Sequence, residues 1–221
     1  YGNFDIFTVS VQGGSPVRLT THSAKEEPYT FSNDGKKIYF GATIADPASS
    51  ALFPKSSMGE LYAVSVNGGR AEQVLATPAQ LINFSRDGKS FLYQDRKGGE
   101  DDFRKHHTSS ITRDLWLYNS STGKHTQLTD WAGEDRNPIY ADGDKTIYFL
   151  SERGGTYNVW SMPADNTKAA KQVTKFATHP VRFLSMADNF FFNDAATTEI
   201  YTMAAGGSAK KLSVEITSDA P

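Results

Sequence analysis

Short segments in which aliphatic and aromatic residues alternate with polar residues recur along the chain. In each copy an acidic or amide residue precedes an aliphatic-aromatic pair, and the copies begin at Asp5, Glu60, Asp114, Asn158 and Glu199. β-Branched and aromatic residues with a period of two predict β-strands. The pattern therefore predicts that one strand is repeated along the whole chain.

Three further strands accompany each copy. One follows across a tight turn, as at Thr126-Gln-Leu-Thr and Gln172-Val-Thr, and two more flank Asp-Gly turns at residues 29–40 and 82–93. Such dipeptides favour tight hairpins. Four short antiparallel strands per repeat describe one blade of a β-propeller. We therefore predict an all-β fold of four complete four-stranded antiparallel blades behind a leading half blade.

The repeat predicts a single propeller unit over residues 1–221. Its blade parts lie at about 5–20, 27–75, 79–129, 137–174 and 179–213. The first part supplies only an outer strand pair, so the blades are expected to form an open arc. An open arc leaves a strand edge and two blade faces uncovered, which favours association into a homo-oligomer.

The repeat length changes along the chain. The first two intervals between copies are 55 and 54 residues, whereas the next two are 44 and 41. The excess lies in residues 43–58 and 96–113, both predicted to join a second strand to a third at the same end of adjacent blades. Long loops on a rigid scaffold often carry function. We expect a peptide- or partner-binding surface there, with these candidate residues: Leu52, Phe53 and Phe103 for packing, and Arg104, Lys105, His106, His107 and Arg113 as donors to carboxylates.

Other roles for the same residues are less favoured or remain open. His106 and His107 are adjacent, so on an extended chain they point in opposite directions, and no third ligand has a supporting spacing for a metal. Nothing around Ser109 or Ser110 resembles a nucleophile elbow. A salt-bridged structural loop remains an alternative to the binding role. No metal or other cofactor is expected.

The Asp-Gly turns and the recurring aromatic residues are predicted to be structural. Asn33-Asp-Gly and Arg86-Asp-Gly lack the succession of carboxylates that a calcium loop requires, so turn formation is favoured. The Gly-Gly pairs at Gly13, Gly68 and Gly206 are predicted hairpin turns with positive φ. The same place in each repeat holds an aromatic residue, which predicts packing between blades: Phe7, Tyr62, Trp116, Trp160 and Tyr201.

Composition narrows the possible partners. The 23 basic and 25 acidic residues give a net charge of −2, which does not indicate nucleic-acid binding. No apolar run approaches the roughly 18 residues of a membrane helix, so no membrane insertion is expected. The absence of cysteine excludes disulfides and thiolate catalysis and fits either redox compartment. The first residues lack a signal-peptide pattern and lead directly into a strand, as expected for a piece of a longer protein.

The repeat resembles the TolB-like propeller repeat through Asp114-Leu-Trp-Leu-Tyr, Gln127-Leu-Thr and Ser85-Arg-Asp-Gly-Lys. Essentially the whole chain is similar to the N-terminal propeller of bacterial tricorn-like serine peptidases. The most specific segments are Ala48-Ser-Ser-Ala-Leu-Phe-Pro, Tyr93-Gln-Asp-Arg-Lys, Arg104-Lys-His-His-Thr-Ser-Ser and Thr178-His-Pro-Val-Arg-Phe-Leu. This resemblance implies an incomplete six-bladed propeller that lacks the first blade and half of the second.

In that family the catalytic serine and histidine lie in later domains, so the resemblance implies no catalytic residue and no peptidase activity in this chain. It implies a part that helps to gate peptide passage and to assemble the peptidase, with peptides and other domains or subunits as partners. A free-standing TolB-like binding module of the bacterial envelope is the alternative, and a propeller ahead of an α/β-hydrolase domain is a third. A periplasmic location is favoured over a cytoplasmic one.

Overall fold

The computed structural model describes residues 4–44, 58–99, 106–165, 167–186, 190–194, 200–204, 207 and 209–212. Within these ranges all regular elements are β-strands, arranged as one two-stranded and four four-stranded sheets. No helix in this part of the chain is long and apolar enough to cross a membrane. The arrangement confirms the predicted all-β propeller of four complete blades behind a leading half blade.

Each sheet is an antiparallel meander in chain order. The half blade contains β1 (Phe7–Thr8) and β2 (Val17–Arg18). Blade 1 contains β3 (Glu26–Phe31), β4 (Lys37–Ala42), β5 (Glu60–Ser65) and β6 (Glu72–Leu75). Blade 2 contains β7 (Ala79–Phe84), β8 (Ser90–Asp95), β9 (Leu115–Asn119) and β10 (Lys124–Gln127). Blade 3 contains β11 (Asp135–Ala141), β12 (Thr146–Ser151), β13 (Asn158–Pro163) and β14 (Lys171–Gln172), and blade 4 contains β15 (Val181–Met186), β16 (Phe190–Asp194), β17 (Ile200–Met203) and β18 (Lys210–Lys211).

The first strand of each complete blade lies against the first strand of the next. Each of these strands shifts register against its partner, and such bulges bend a strand. Two of the shifts contain residues with positive φ, Leu81 at +48° and Asn137 at +51°. Side-chain amides then connect the blades, because Asn83 Oδ1 accepts the Tyr140 N–H at 2.9 Å and Asn137 Oδ1 accepts the Leu184 N–H at 3.1 Å.

Aromatic residues of the third strands pack between blades, with one exception. Tyr62 is buried and stacks on Phe40, with ring centroids 5.9 Å apart. Trp116, Trp160 and Tyr201 are partly buried against other inter-blade clusters. Phe7, at the same position of the repeat, is 54% exposed, so the expectation of inter-blade packing is wrong there. The sheet of Phe7 has only two strands in the described part of the chain.

The Asp-Gly sequences form the predicted turns. Gly88 has φ +69° and donates its N–H to the Ser85 carbonyl at 2.9 Å. Asp87 Oδ1 accepts the Lys89 N–H and the Ser85 hydroxyl, and these hydrogen bonds lower the pKa of Asp87. Blade 1 repeats this arrangement around Asp34. Positive φ also confirms the turn prediction at Gly13 and Gly68, while Gly206 lies outside the described residues.

A threonine after the fourth strand explains the recurring Leu-Thr and Val-Thr sequences. Its hydroxyl oxygen accepts a backbone N–H from the third-strand segment beside it. The three pairs are Ile6 with Thr20 at 2.9 Å, Leu115 with Thr129 at 3.0 Å, and Val159 with Thr174 at 2.9 Å. The threonine thereby satisfies a buried backbone donor at the end of the blade.

Candidate functional site

The two long connections lie in equivalent places of adjacent blades. Residues 43–59 join β4 to β5, and residues 96–114 join β8 to β9, so each links a second strand to a third. In a meander these connections share one end of the propeller with the links between blades. The equivalent connection of blade 3, residues 152–157, is short. Blades 1 and 2 therefore have the longer connections at this end, as the repeat spacing predicts.

The structure describes only some of the residues predicted to form the binding surface. Leu52, Phe53, Phe103, Arg104 and Lys105 lie outside the described residues. The structure does place His106, His107 and Arg113. The proposed surface as a whole stays a prediction.

His106 is held against blade 3 while its side chain remains accessible. Its backbone N–H donates to Glu152 Oε2 at 2.8 Å, its φ is +54°, and its side chain is 63% exposed. His106 Nδ1 lies 4.0 Å from the same carboxylate oxygen. The neighbouring His107 is partly buried. The connection of blade 2 is thus fixed to blade 3 at the point where His106 faces solvent.

Arg113 lies in the interior rather than on the surface. Its Nη1 donates to both oxygens of Glu134, at 2.9 and 3.2 Å, and both side chains are almost fully buried. Arg136 and the Tyr157 hydroxyl also donate to Glu134. Burial raises the pKa of Tyr157, which keeps that hydroxyl protonated as a donor. In this arrangement Arg113 acts as a brace between β9 and the start of blade 3.

The start of the same connection is held by a second ion-pair network. Lys97 Nζ donates to Asp114 Oδ2 at 2.6 Å and to the Thr112 carbonyl at 2.8 Å. It also lies 3.4 Å from Asp95 Oδ2, which accepts the Trp116 Nε1–H at 2.9 Å. Burial raises the pKa of Asp114, and the hydrogen bond from Lys97 opposes that shift. Both ends of the connection are therefore fixed by buried or half-buried charges.

Sequence reasoning did not identify the acidic partners of these contacts. Glu134, Asp135 and Glu152 are all buried beside the connection. The only local signal was a pair of acidic residues at the start of β11, Glu134 directly before the strand and Asp135 as its first residue, and this pair has no diagnostic spacing. Among the described residues, no group of three or more histidine and acidic side chains is placed to hold a metal ion. The arrangement presents histidine side chains on an anchored loop, which can donate hydrogen bonds or bind carboxylates.

Comparison with known proteins places this geometry in a family. The sequence matches the family described as the tricorn protease N-terminal beta propeller domain over residues 1–203. The chain belongs to this family. The tricorn N-terminal propeller identified in this way confirms the resemblance noted in the repeats.

Relatives of this tricorn N-terminal propeller include other propeller proteins. The Tol-Pal system protein TolB of Wolinella succinogenes is 25% identical over 115 residues, which is 51% of this chain and 24% of that protein. TolB from Acinetobacter baumannii has a TM-score of 0.68 at 16% identity, covering 93% of this chain and 48% of that one. The tricorn protease structure has a TM-score of 0.55 at 13% identity, covering 98% and 25%. The structural likenesses show the shared fold, and this chain spans about a quarter of the TolB protein and of the tricorn protease chain.

Proposed function

We propose that this propeller is a non-catalytic part of a tricorn-like serine peptidase that guides peptides to or from the peptidase domains and supports assembly. The observation that carries this proposal is the anchoring of the long connection of blade 2 to blade 3 by His106 and Glu152. Membership of the tricorn propeller family supports the peptidase context.

Peptide contact at this end follows from the chemistry of the connection. His106 is exposed on an anchored segment, and Arg104 and Lys105 directly precede it in the sequence. Cationic side chains and imidazoles bind carboxylates through charge-assisted hydrogen bonds. We expect these residues to contact a peptide carboxylate or the acidic groups of another domain or subunit.

Assembly is supported by the exposed apolar residues of the half blade. Phe7, Val9 and Val17 are each more than half exposed, and β1 pairs only with β2 among the described strands. Open strand edges with apolar side chains favour association. In the proposed function this edge contacts another part of the peptidase or a second copy of the chain.

A free-standing TolB-like binding module is the second candidate, and the similarity to the Wolinella TolB protein favours it. Both candidates fit a periplasmic location. The full-length sequence distinguishes them, because the first candidate requires peptidase domains after the propeller and the second does not.

The test replaces Arg104 and His106 with alanine together in the full-length protein. We expect altered peptide turnover or altered assembly, measured with fluorogenic peptides and light scattering, and an almost unchanged melting temperature of the propeller. Lys168→Ala is the control, because Lys168 is exposed and pairs only with the exposed Asp130 among the described residues. If the double variant lowers the melting temperature and spares turnover and assembly, the connection is a structural brace and the proposal fails.

A further inference from the structure

The junction between blades 2 and 3 contains an arginine whose side chain is mostly buried. Arg153 lies just after β12 and forms an ion pair with the fully buried Asp135 at 2.5 Å. Its guanidinium carbon lies 5.5 to 5.9 Å from the ring centroids of Trp131, Phe149 and Trp160. A cation placed over aromatic faces beside a carboxylate is stabilised by both. Arg153 thus fills the space between the two blades.

The junction between the half blade and blade 1 repeats the carboxylate without the arginine. Glu26 and Asp135 each begin the first strand of their blade and pair with the last residue of the second strand, Ala42 and Ser151 respectively. Arg153 lies two residues after β12, and the residue two positions after β4 is Ile44. Blade 2 also has a cation two positions after its second strand, Lys97, paired with Asp95 and Asp114.

The aromatic walls of the two junctions correspond as well. Tyr62 and Trp160 both occupy the third position of the third strand, and Phe40 and Phe149 both occupy the fourth position of the second strand. His22 follows Thr20 by two residues, as Trp131 follows Thr129. Phe40 and Tyr62 remain stacked on each other, so an aromatic wall is present where the guanidinium would lie.

The junction between the half blade and blade 1 contains an open cavity instead of an arginine side chain. Its volume is about 450 Å³, and its lining includes Thr20, His22, Glu26, Ile44, Tyr62 and Gln73. That volume lies in the range of small-molecule sites, about 300–1,000 Å³. Glu26 is only 3% exposed, and no lysine or arginine of the described residues forms an ion pair with it. The hydroxyl of Thr20 donates to Glu26, as expected for a fixed carboxylate.

We propose that this cavity binds a guanidinium group from outside the propeller, an arginine side chain of a peptide or of another protein surface, in the place that Arg153 fills in blade 3. The guanidinium donates to the Glu26 carboxylate and lies against the Tyr62 ring. Tyr62 and Gln73 also donate to Glu60, which places a second carboxylate beside this wall. Arg70 lines the cavity from the turn before β6, but its side chain is exposed, so dissolved salt screens its charge. This site does not depend on the proposed peptidase role.

The experiment titrates the chain with N-acetyl-L-arginine amide and measures binding by calorimetry and by amide shifts in NMR spectra. N-acetyl-L-citrulline amide is the neutral probe of matched shape. We expect saturable binding of the arginine probe and at least about tenfold weaker binding of the citrulline probe, the ratio that about 1.4 kcal/mol gives. Equal binding of the two probes, or no binding of either, overturns the proposal.

Three variants identify the site. Glu26→Gln should weaken binding of the arginine probe at least about tenfold, because a hydrogen-bonded charge pair is lost. Glu27→Gln removes the same charge from the next residue, which is exposed and outside the cavity lining, and should leave binding unchanged.

Ile44→Arg restores the pattern of blade 3 and should abolish probe binding while Glu26 is retained. If Ile44→Arg binds the probe as the wild type does, or if Glu26→Gln and Glu27→Gln behave alike, the cavity is not the site. Should Glu26→Gln fail to fold, the Ile44→Arg titration decides by itself.

Discussion

Two junctions of this propeller have a buried carboxylate at the same position of the repeat, but only one of them also has an arginine that pairs with it. Between blades 2 and 3, Asp135 pairs with Arg153 and aromatic rings surround the guanidinium. Between the half blade and blade 1, Glu26 occupies the position of Asp135, but Ile44 replaces the arginine and a cavity remains. In both places the carboxylate residue pairs with the last residue of the second strand, although the half blade has two described strands where blade 2 has four. In this comparison the loss of the arginine accompanies a cavity beside the buried carboxylate, and that cavity is the proposed binding site.

The junction between blades 2 and 3 should lose the most stability when Glu134, which directly precedes Asp135, is replaced. Glu134→Ala leaves Arg113 and Arg136 without their buried carboxylate, and removing one partner of a buried pair costs about 3–5 kcal/mol. The free energy of unfolding in urea measures this loss. Asp130→Ala, at an exposed ion pair, is the control and should change it by less than about 0.5 kcal/mol. If the two variants cost the same, the buried network does not stabilise this junction.

A smaller loss is expected from the threonine that closes blade 3. Thr174 accepts the Val159 N–H at 2.9 Å and donates to Asn158 Oδ1 at 2.9 Å. Thr174→Val keeps the shape and removes the hydroxyl, so unfolding should become easier by about 1–3 kcal/mol. Thr126→Val, on an exposed position of β10, is the matched control in the same urea experiment. Equal effects of the two substitutions would show that the hydroxyl of Thr174 is dispensable.

The repeat, its strands and its turns could be predicted from sequence because they are local. The aliphatic-aromatic pair, the Leu-Thr ending and the Asp-Gly turn each lie within one strand or one hairpin. The contacts of Arg113 with Glu134 and of His106 with Glu152 join different blades, and no local pattern specifies such a partner. Arg113 was therefore expected on the binding surface, although it is buried. The exposure of Phe7 also differs from the sequence prediction, because the burial of this side chain depends on neighbouring strands rather than on its own segment.

The smallest expected effect is the pH dependence of stability that Glu26 contributes. Burial raises the pKa of Glu26, while the Thr20 hydroxyl opposes the shift, and Asp5 and His22 contribute smaller effects of opposite sign. Burial also raises the pKa of Asp135, but there the charge of Arg153 opposes it. The folded chain therefore protonates Glu26 at a higher pH than the unfolded chain does. The contribution of Glu26 to the free energy of unfolding should rise as pH falls towards the ordinary carboxyl value of 4.5.

Glu26→Gln has no titrating carboxyl group at this position, so it is the reference variant for the pH dependence. The difference in unfolding free energy between the wild type and Glu26→Gln should shift in favour of the wild type as pH is lowered from neutral. Urea denaturation at a series of pH values measures it. If this difference stays constant with pH, Glu26 does not contribute the expected pH dependence of stability.

The central claim is that this position of the repeat is a guanidinium site. Its most direct test removes the arginine from the junction between blades 2 and 3. Arg153→Ala leaves Asp135 and the aromatic rings in place without their guanidinium, and a small cation of the same chemistry should then replace it. Millimolar methylguanidinium should raise the melting temperature of Arg153→Ala more than that of the wild type, with methylammonium as the control cation and Lys168→Ala as the control variant. Equal shifts in Arg153→Ala, Lys168→Ala and the wild type would contradict the claim that this position of the repeat is a guanidinium site.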